Sequence, residues 1–172
     1  ALPISKVRIS GGGRCNVTHA CYDPAELITN YPRGSKALRQ AFSRFMTGDT
    51  VEWFESRGVP LKTEADGRIF PVSDQSESIV NCLMQEAAKY GVKLMTHTAV
   101  ASIRNVANGF ILSDKSANEF HFDRVLVATG GQPVASRFNW LKAMGHSISS
   151  PVPSLFTFNL PGNSITSLME IG

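Results

Sequence analysis

The spacing of apolar residues predicts three helices in the first half of the chain. Apolar side chains recur at intervals of three or four residues over 38–45, 51–54 and, most clearly, 79–88, which is the period of an α-helix. Each of these segments follows residues that can cap a helix N-terminus: Ser35, Asp49 with Glu52, and Asp74 with Glu77. Glycines at 48, 58 and 91 indicate where the three helices end.

Shorter apolar segments between the helices predict strands. The run Val7–Ser10 has the composition of a strand. Segments 61–63 and 68–72 flank the turn pair Asp66-Gly67, which predicts a hairpin, and Pro71 is expected to confine the second strand to a sheet edge. After the third helix, the segments 92–103, 110–112 and 119–122 predict an antiparallel meander, with Asn108-Gly109 as one of its turns.

One apolar run differs from the others because it does not alternate. Val125 to Ala128 are all apolar and are followed by Thr129, Gly130 and Gly131, as in a strand that is buried on both faces of a parallel sheet. The predicted fold is therefore α/β: a Rossmann-like domain with a parallel core sheet that carries the antiparallel meander as an insert.

Charge and composition exclude several classes of protein. The 172 residues carry a net charge of +3, and the densest basic region, Arg33, Lys36, Arg39 and Arg44, is spaced like a solvated helix face. We therefore expect a small-molecule substrate and no nucleic acid. Three cysteines with no paired motif favour a reducing compartment such as the cytoplasm, and no apolar run is long enough to span a membrane. The four histidines lack metal-ligand spacing, so no metal is expected.

Two glycine-rich segments could approach a ligand. Gly11, Gly12 and Gly13 precede Arg14, so main-chain amides and a guanidinium could together face an anion; the alternative is an irregular turn that happens to be rich in glycine. The pair Gly130-Gly131 ends the apolar run, where ligands sit in parallel sheets. On its own this second segment is equally well explained as a plain turn.

Together, these segments resemble a known family. The run from Ile9 to Thr18, the segment Asp66 to Ser73 and the run Val125 to Gly131 are similar to those of the BaiN-like (YhiN-type) flavoproteins, a branch of the glutathione-reductase-like FAD fold. The resemblance covers about residues 4 to 160. It implies an FAD-dependent oxidoreductase that uses NAD(P)H to reduce an organic acceptor; neither the acceptor nor a catalytic residue can be read from the sequence.

The resemblance also implies which residues contact FAD. Residues of the first segment would lie along the cofactor: Gly11, Gly12, Gly13, Arg14, Cys15 and Asn16. Val100 matches the position whose main chain meets the adenine, and Thr129, Gly130 and Gly131 match the turn beside the dinucleotide.

The family's first strand and its G-x-G-x-x-G turn have no counterpart here. We therefore expect a partial FAD-binding domain over residues 1–155, incomplete at both ends, and the start of an inserted second domain over 156–172. Two alternatives remain: a non-catalytic fragment that does not itself bind FAD, and a flavoprotein that acts on nucleic acid. Because the missing unit normally receives the pyrophosphate, we expect this chain by itself to bind FAD weakly or not at all. The oligomeric state cannot be predicted from the sequence.

Overall fold

The computed structural model describes residues 4–131 and 134–152. The chain divides into two compact units, which meet in sequence between Thr96 and His97. Helices and strands are mixed, which confirms the α/β class. Within the described ranges, no helix is long and apolar enough to cross a membrane.

The first unit contains five helices and three short strands among its described residues. In chain order they are α1 (Ser5–Ile9), β1 (Thr18–His19), α2 (Pro24–Leu27), α3 (Ser35–Phe42), α4 (Thr47–Glu55), β2 (Leu61–Thr63), β3 (Arg68–Pro71) and α5 (Ser76–Lys89). Short 3-10 turns at Ser10–Gly13 and Ile28–Asn30 follow α1 and α2. The three helices predicted from apolar spacing are thus present.

The strand predicted at Val7–Ser10 is wrong, because this segment belongs to α1 and the turn after it. Tertiary contacts override the β-branched composition. The hydroxyl of Ser76 donates to the carbonyl oxygen of Arg8 at 2.9 Å, and the Arg8 guanidinium pairs with Glu77 at 3.0 Å. Val7 packs against the core. These contacts fasten α1 to the first turn of α5.

The three strands form an antiparallel sheet in the order β1-β3-β2. The prediction that Pro71 lies in an edge strand is therefore wrong, because β3 is central. The register explains how proline is tolerated there: β1 pairs only with Arg68 and Ile69, while Pro71 lies opposite Leu61 of β2. The proline stands beyond the end of β1, so its missing N–H leaves no bond of that ladder unmade.

The core of the first unit lies between the sheet, α4 and α5. Its buried cluster consists of Cys15, Phe54, Val59, Ile79 and Cys82. Ile69 and Phe70 of β3 are the most deeply buried large side chains, at 1% and 0% exposure. The central strand therefore forms the best-packed part of this unit.

All three predicted caps act differently from expectation. Helix α3 begins at Ser35 itself, so its N-cap is Gly34, and no side chain caps the helix. Helix α4 begins two residues before Asp49, whose carboxylate accepts the Met46 N–H at 2.8 Å. Helix α5 begins at Ser76, and Asp74 has a left-handed backbone with φ of 54°. The Asp74 carboxylate pairs with Lys62 rather than with the helix. The same carboxylate also lies 3.6 Å from Arg14.

The second unit contains the predicted meander. Its strands are β4 (Val100–Val106), β5 (Gly109–Asp114) and β6 (Glu119–Phe122), paired antiparallel in chain order. Val106 lies opposite Gly109, so the hairpin loop is the two residues 107 and 108. The first strand begins at Val100 and not at residue 92 as predicted. A 3-10 turn at Ala135–Phe138 leads into α6 (Asn139–Ala143).

The predicted parallel strand at Val125–Ala128 is wrong, since these residues form no strand. A parallel strand needs neighbours that accept and donate its backbone hydrogen bonds, and both sheets among the described residues are antiparallel. The apolar run is consequently exposed: Leu126 retains 91% of its accessible surface and Val127 40%. The predicted parallel core sheet is thus not found in the described ranges.

Candidate functional site

The glycine loop, residues 10–16, has a backbone that few residues other than glycine adopt. Gly11, Gly12 and Gly13 have φ angles of 57°, 67° and 88°, which is the left-handed region. Cys15 follows them with φ of 64°. The chain closes on itself through two bonds, from Arg14 N–H to the Gly11 carbonyl at 3.3 Å and from Cys15 N–H to the Ser10 carbonyl at 3.0 Å. The loop is therefore a defined turn.

The three glycines differ in what surrounds them. A Cβ on Gly11 would lie 2.8 Å from Cε1 of Phe70 and 2.9 Å from the amide nitrogen of Asn16, so this position is closed to any side chain. A Cβ on Gly12 would meet nothing within 4 Å, and one on Gly13 only the Arg8 carbonyl at 3.9 Å. Gly11 thus fits the loop against the sheet, and Gly12 and Gly13 leave main chain open to an approaching molecule.

Arg14 braces the loop against the sheet. Its Nη1 lies 2.5 Å from the Glu64 carboxylate and 3.6 Å from that of Asp74. Its guanidinium also stacks over the Phe70 ring, 4.0 Å from the centroid. The hydrogen bond to Glu64 raises the pKa of Arg14, so the side chain stays charged. The Glu64 and Asp74 carboxylates balance that charge. Arg14 therefore positions the loop, whether or not it also contacts a ligand.

The carboxylates that hold Arg14 belong to a wider charge network on β2, β3, the turn between these strands and the turn after β3. Asp74 also pairs with Lys62, and a hydrogen bond from that ammonium lowers the pKa of Asp74. Arg68 pairs with Asp66 at 2.6 Å and approaches Glu64 at 3.6 Å. Bonds from Arg68 likewise lower the pKa of Asp66. The Arg14 guanidinium therefore lies in a network in which carboxylates and basic side chains alternate.

Asn16 ties the end of the loop to the central strand. With its amide oriented to satisfy both neighbours, its Nδ2 donates to the carbonyl oxygens of Thr18 at 2.8 Å and Ile69 at 3.3 Å. The N–H of Val17 donates to the same Ile69 carbonyl at 2.8 Å. Two motifs that are more than 50 residues apart in sequence therefore form one structure, with the glycine loop seated on β3.

Cys15 points into the interior. Its side chain is 5% exposed and belongs to the buried cluster with Cys82. The described thiols are free, and burial raises the pKa of Cys82. Between α1, the loop, α4 and α5 lies an apolar hollow of about 320 Å³. Its lining includes Cys15, Asn16, Phe54 and Ile79. This hollow is a concave feature of the first unit next to the predicted loop.

In the second unit, the structure brings two predicted residues together. Val100 and Thr129 line one cavity of about 270 Å³, along with the exposed run Val125–Ala128 and Trp140. A smaller hollow of about 260 Å³ lies beside it, lined by Thr129, Arg137, Phe138 and Trp140. Gly130 has φ of 73°, and a Cβ on Gly131 would meet nothing within 4 Å. The turn after Thr129 is thus open main chain.

The ten residues predicted to contact FAD therefore form two groups. Six lie in the glycine loop of the first unit, and four lie in the second unit. The expectation that both groups face one cofactor stays a prediction. Among the described residues, no cluster of histidine, cysteine and carboxylate side chains could hold a metal. The segment 156–172, predicted to start a second domain, lies outside the described residues.

Sequence reasoning missed the residues that hold the loop in place. Glu64 and Phe70 contact Arg14, and neither was predicted as part of the site. Asp74 was interpreted as a helix cap. A signal was present, because the segment from Asp66 to Ser73 was part of the family resemblance, but pairing across 50 residues leaves no local pattern in a single sequence.

Comparisons with known proteins agree with the α/β class. Residues 2–153 match the model of the HI0933-like protein Rossmann domain. The chain is 31% identical over 156 residues to the 3-dehydro-bile acid delta(4,6)-reductase of Clostridium scindens, covering 87% of this chain and 37% of that protein.

Two further relatives carry a different name. Identity is 29% over 129 residues with the ribosomal RNA dihydrouridine synthase of Escherichia coli, covering 75% of this chain and 31% of that protein. It is 28% over 130 residues with the enzyme of the same name from Haemophilus influenzae, covering 73% and 31%. The chain spans about a third of the length of these curated relatives.

The matched region includes the glycine loop, the strand beneath it and the turn after Thr129. The resemblance to BaiN-like flavoproteins is thereby confirmed. This chain belongs to the HI0933-like family, whose Rossmann domain it matches over most of its length.

Proposed function

We propose that this chain is the cofactor-binding part of an FAD-dependent oxidoreductase, in which the glycine loop receives the dinucleotide. The observation that carries the proposal is the loop itself: three consecutive left-handed glycines, fixed at Gly11 and open at Gly12 and Gly13. Main chain without side chains lets a phosphate or a flavin edge approach the peptide groups closely. Family membership supports FAD as the cofactor.

The residues present fit such a cofactor. The open face of Gly12 and Gly13 is a surface that a Cβ would partly fill, and Arg14, Asn16 and Phe70 hold it rigid. A prearranged surface binds with little cost in ordering. In the second unit, the apolar cavity beside Val100 and Thr129 suits a planar aromatic group. We assign Val100, Thr129, Gly130 and Gly131 to the nucleotide end of the cofactor.

The chemistry proposed for the whole protein is reduction of an organic acceptor. Bound FAD supplies hydride transfer, and the protein contributes placement and electrostatics. One relative is named a reductase and two are named dihydrouridine synthases, and both names describe products that have gained hydrogen. NAD(P)H is proposed as the electron donor on the resemblance to the BaiN-like flavoproteins. The three described thiols, all buried and unpaired, support a reducing compartment such as the cytoplasm.

The relatives' names leave two classes of acceptor, a small molecule and an RNA. A small-molecule acceptor is supported by the sequence identity, which is slightly higher with the bile acid reductase than with the two synthases. An RNA acceptor is supported by the names of the other two relatives, which are both ribosomal RNA dihydrouridine synthases.

A cofactor experiment tests the proposal. We expect the purified chain to quench the fluorescence of FAD saturably but with weak affinity, and to bind FMN more weakly still, because FMN lacks the adenylate half. Bound FAD should then lose its visible absorbance when NADH or NADPH is added without oxygen, if a donor site lies on this chain. A colourless preparation with no saturable FAD binding would favour the alternative, a fragment that does not itself bind the cofactor.

A further inference from the structure

Two hollows of the second unit adjoin each other at Thr129 and Trp140. The larger, of about 270 Å³, is lined by the exposed run Val125–Ala128 together with residues of β4 and β5. The smaller, of about 260 Å³, is lined by Arg137 and Phe138. Because Thr129 and Trp140 border both hollows, a ligand with two connected parts can occupy them together. The two hollows therefore form one candidate site with two compartments.

The two compartments differ in their polar groups. The larger is bordered mostly by aliphatic residues, among them Ile103, Leu112 and Leu126. The smaller has the Arg137 guanidinium beside the residues Phe138 and Trp140. Among the described residues, no carboxylate lines either hollow. The larger compartment is therefore suited to an apolar planar group, and the smaller one to an anion.

Arg137 is a cation in a concave site without a carboxylate partner. In the part of the chain that the structure describes, it forms no ion pair, whereas Arg104 of the same unit pairs with Glu119 at 3.0 Å. Three other basic residues of this unit are unpaired within the described ranges but line neither hollow: Lys115, Arg124 and Lys142. Arg137 is thus distinguished by its position and not by its charge alone.

We propose that Arg137 binds a phosphate of an adenine nucleotide whose ring occupies the larger hollow, and that Trp140 stacks on that ring. A guanidinium is always charged and can donate two parallel N–H groups to phosphate oxygens. An indole offers a flat face on which a base can stack. Neither residue was predicted from the sequence to contact the cofactor.

This inference rests on the proposed function, in which the cavity beside Val100 takes the adenine of the cofactor. The phosphate can have two sources, the 5′ chain of a dinucleotide such as FAD or the 2′ phosphate of NADPH. Both sources offer Arg137 the same phosphate oxygens, and the ligands titrated separate them. An aliphatic carboxylate could also meet Arg137, but it has no flat face for Trp140.

The test is quenching of Trp140 fluorescence in the full chain carrying Trp53→Phe, which leaves Trp140 as its one tryptophan. The ligands are adenosine, adenosine 5′-diphosphate and adenosine 2′-monophosphate. We expect saturable quenching by all three, with at least one phosphate bound about tenfold more tightly than adenosine, as for a hydrogen bond between charged groups. The phosphate position that gains affinity identifies the source. Calorimetry of the unmodified chain with the same ligands gives affinities that do not depend on Trp53→Phe.

Arg137→Gln should reduce the affinity for the phosphorylated ligand to about that for adenosine and leave adenosine binding unchanged. Arg137→Lys keeps the charge without the paired donors, so its affinity should lie between. The matched control is Lys142→Gln, which removes the same charge from α6 outside both hollows. It should change either affinity by less than about twofold. Equal losses in Arg137→Gln and Lys142→Gln would mean that net charge alone attracts the ligand, which overturns the site. Far-ultraviolet circular dichroism establishes that the variants are folded.

The stacking role of Trp140 has its own readout. Trp140→Ala, followed by calorimetry, should weaken adenosine and its phosphates by the same factor, about fivefold or more, because the ring contacts the base alone. An unchanged affinity would show that the stack is absent. If decanoate, an aliphatic carboxylate, binds more tightly than the adenosine phosphates, the nucleotide assignment is wrong.

Failure of this inference is distinct from failure of flavin binding at the glycine loop. The proposed phosphate site lies in the second unit, so Gly12→Ala in the first should leave binding of the adenosine phosphates unchanged. Equal affinities for adenosine and both phosphates would overturn the role of Arg137 and leave the glycine-loop proposal standing. If none of the three ligands binds saturably, the larger hollow takes no adenine and the inference is overturned.

Discussion

The glycine loop and the turn after Thr129 look alike in sequence, yet they differ in how much structure supports them. Three contacts fix the loop. The Phe70 ring lies beneath Gly11, Glu64 pairs with Arg14, and the Ile69 carbonyl oxygen accepts the N–H of Val17. The turn at Gly130-Gly131 ends a run whose central residue, Leu126, is 91% exposed. Glycines permit a close approach in both, but only the loop has neighbours that hold it in one conformation.

The difference shows that glycines allow a close approach of main chain to a ligand, but that the residues packed around them fix the loop in one conformation. Fixing a glycine in one backbone conformation costs more chain entropy than fixing another residue, and packing must offset that cost. In the loop, a buried ring and a charge network provide that packing. In the second unit, the corresponding packing would have to come from neighbours of the run Val125–Ala128, and the described residues do not supply a strand beside it.

The largest effect is expected beneath the loop. Phe70→Ala removes a ring that is 0% exposed, and we expect the free energy of unfolding to fall by about 3 to 5 kcal/mol. Leu126→Ala, in the exposed run, should change it by less than about 0.5 kcal/mol. The two tryptophans allow separate urea titrations, because Trp53 lies in the first unit and Trp140 in the second. Similar losses at both sites would remove the contrast between them.

A smaller effect is expected within the loop. Gly11→Ala combines a left-handed backbone with contacts of 2.8 and 2.9 Å, whereas Gly12→Ala has the strained backbone alone. We expect about 1 to 2 kcal/mol of destabilisation at Gly12 and a clearly larger loss at Gly11. Gly131→Ala, where nothing lies within 4 Å, should be nearly neutral. Thermal unfolding of the three variants ranks them, and an equal loss at Gly11 and Gly12 would show that Phe70 does not constrain the loop.

The smallest effect concerns acid. Lys62 and then Arg14 hold the pKa of Asp74 below its ordinary value of about 3.9. Because the folded-state pKa is the lower one, the stabilisation is complete above about pH 4 and is lost as the pH falls through the folded value. Asp74→Asn keeps a residue that tolerates the left-handed backbone. It should lower stability at pH 7, with the difference from the unmodified chain shrinking toward pH 3.

Asp114 provides the counterpart in the second unit. Bonds from Asn118, first from its side chain and then its main chain, and from Ser116 lower the pKa of Asp114. Asp114→Asn should therefore give a similar acid dependence that Trp140 fluorescence reports and Trp53 fluorescence does not. A change in both signals from either variant would show that the units do not unfold separately.

Local patterns predicted the three longest of the described helices and the meander, because these depend on neighbours in sequence. Apolar spacing located α5 almost to the residue, and the turn before Gly109 fixed the hairpin. The errors arose where distant contacts decide. Val7 looked like a strand residue until α5 was placed beside it, and Asp74 looked like a cap until Lys62 and Arg14 were nearby.

The functional site shows the same division between residues that local sequence predicts and residues that distant contacts decide. The glycines at 11 to 13 were recognisable because only their own backbone conformation is required. Glu64 and Phe70 were not, since their roles depend on β3 lying beneath the loop. The prediction of a strand at Val125–Ala128 was wrong for the converse reason. The composition of this run predicts burial between two neighbouring strands, but composition does not show whether those strands are present.

The central claim, that open main chain in the glycine loop receives FAD, is tested most directly by comparing two glycines. Gly12 and Gly34 both have left-handed backbones, with φ of 67° and 80°, and a Cβ on either would meet nothing within 4 Å. Titration of FAD fluorescence should give a dissociation constant at least tenfold weaker for Gly12→Ala and an unchanged one for Gly34→Ala. Equal affinities in the two variants would contradict the claim.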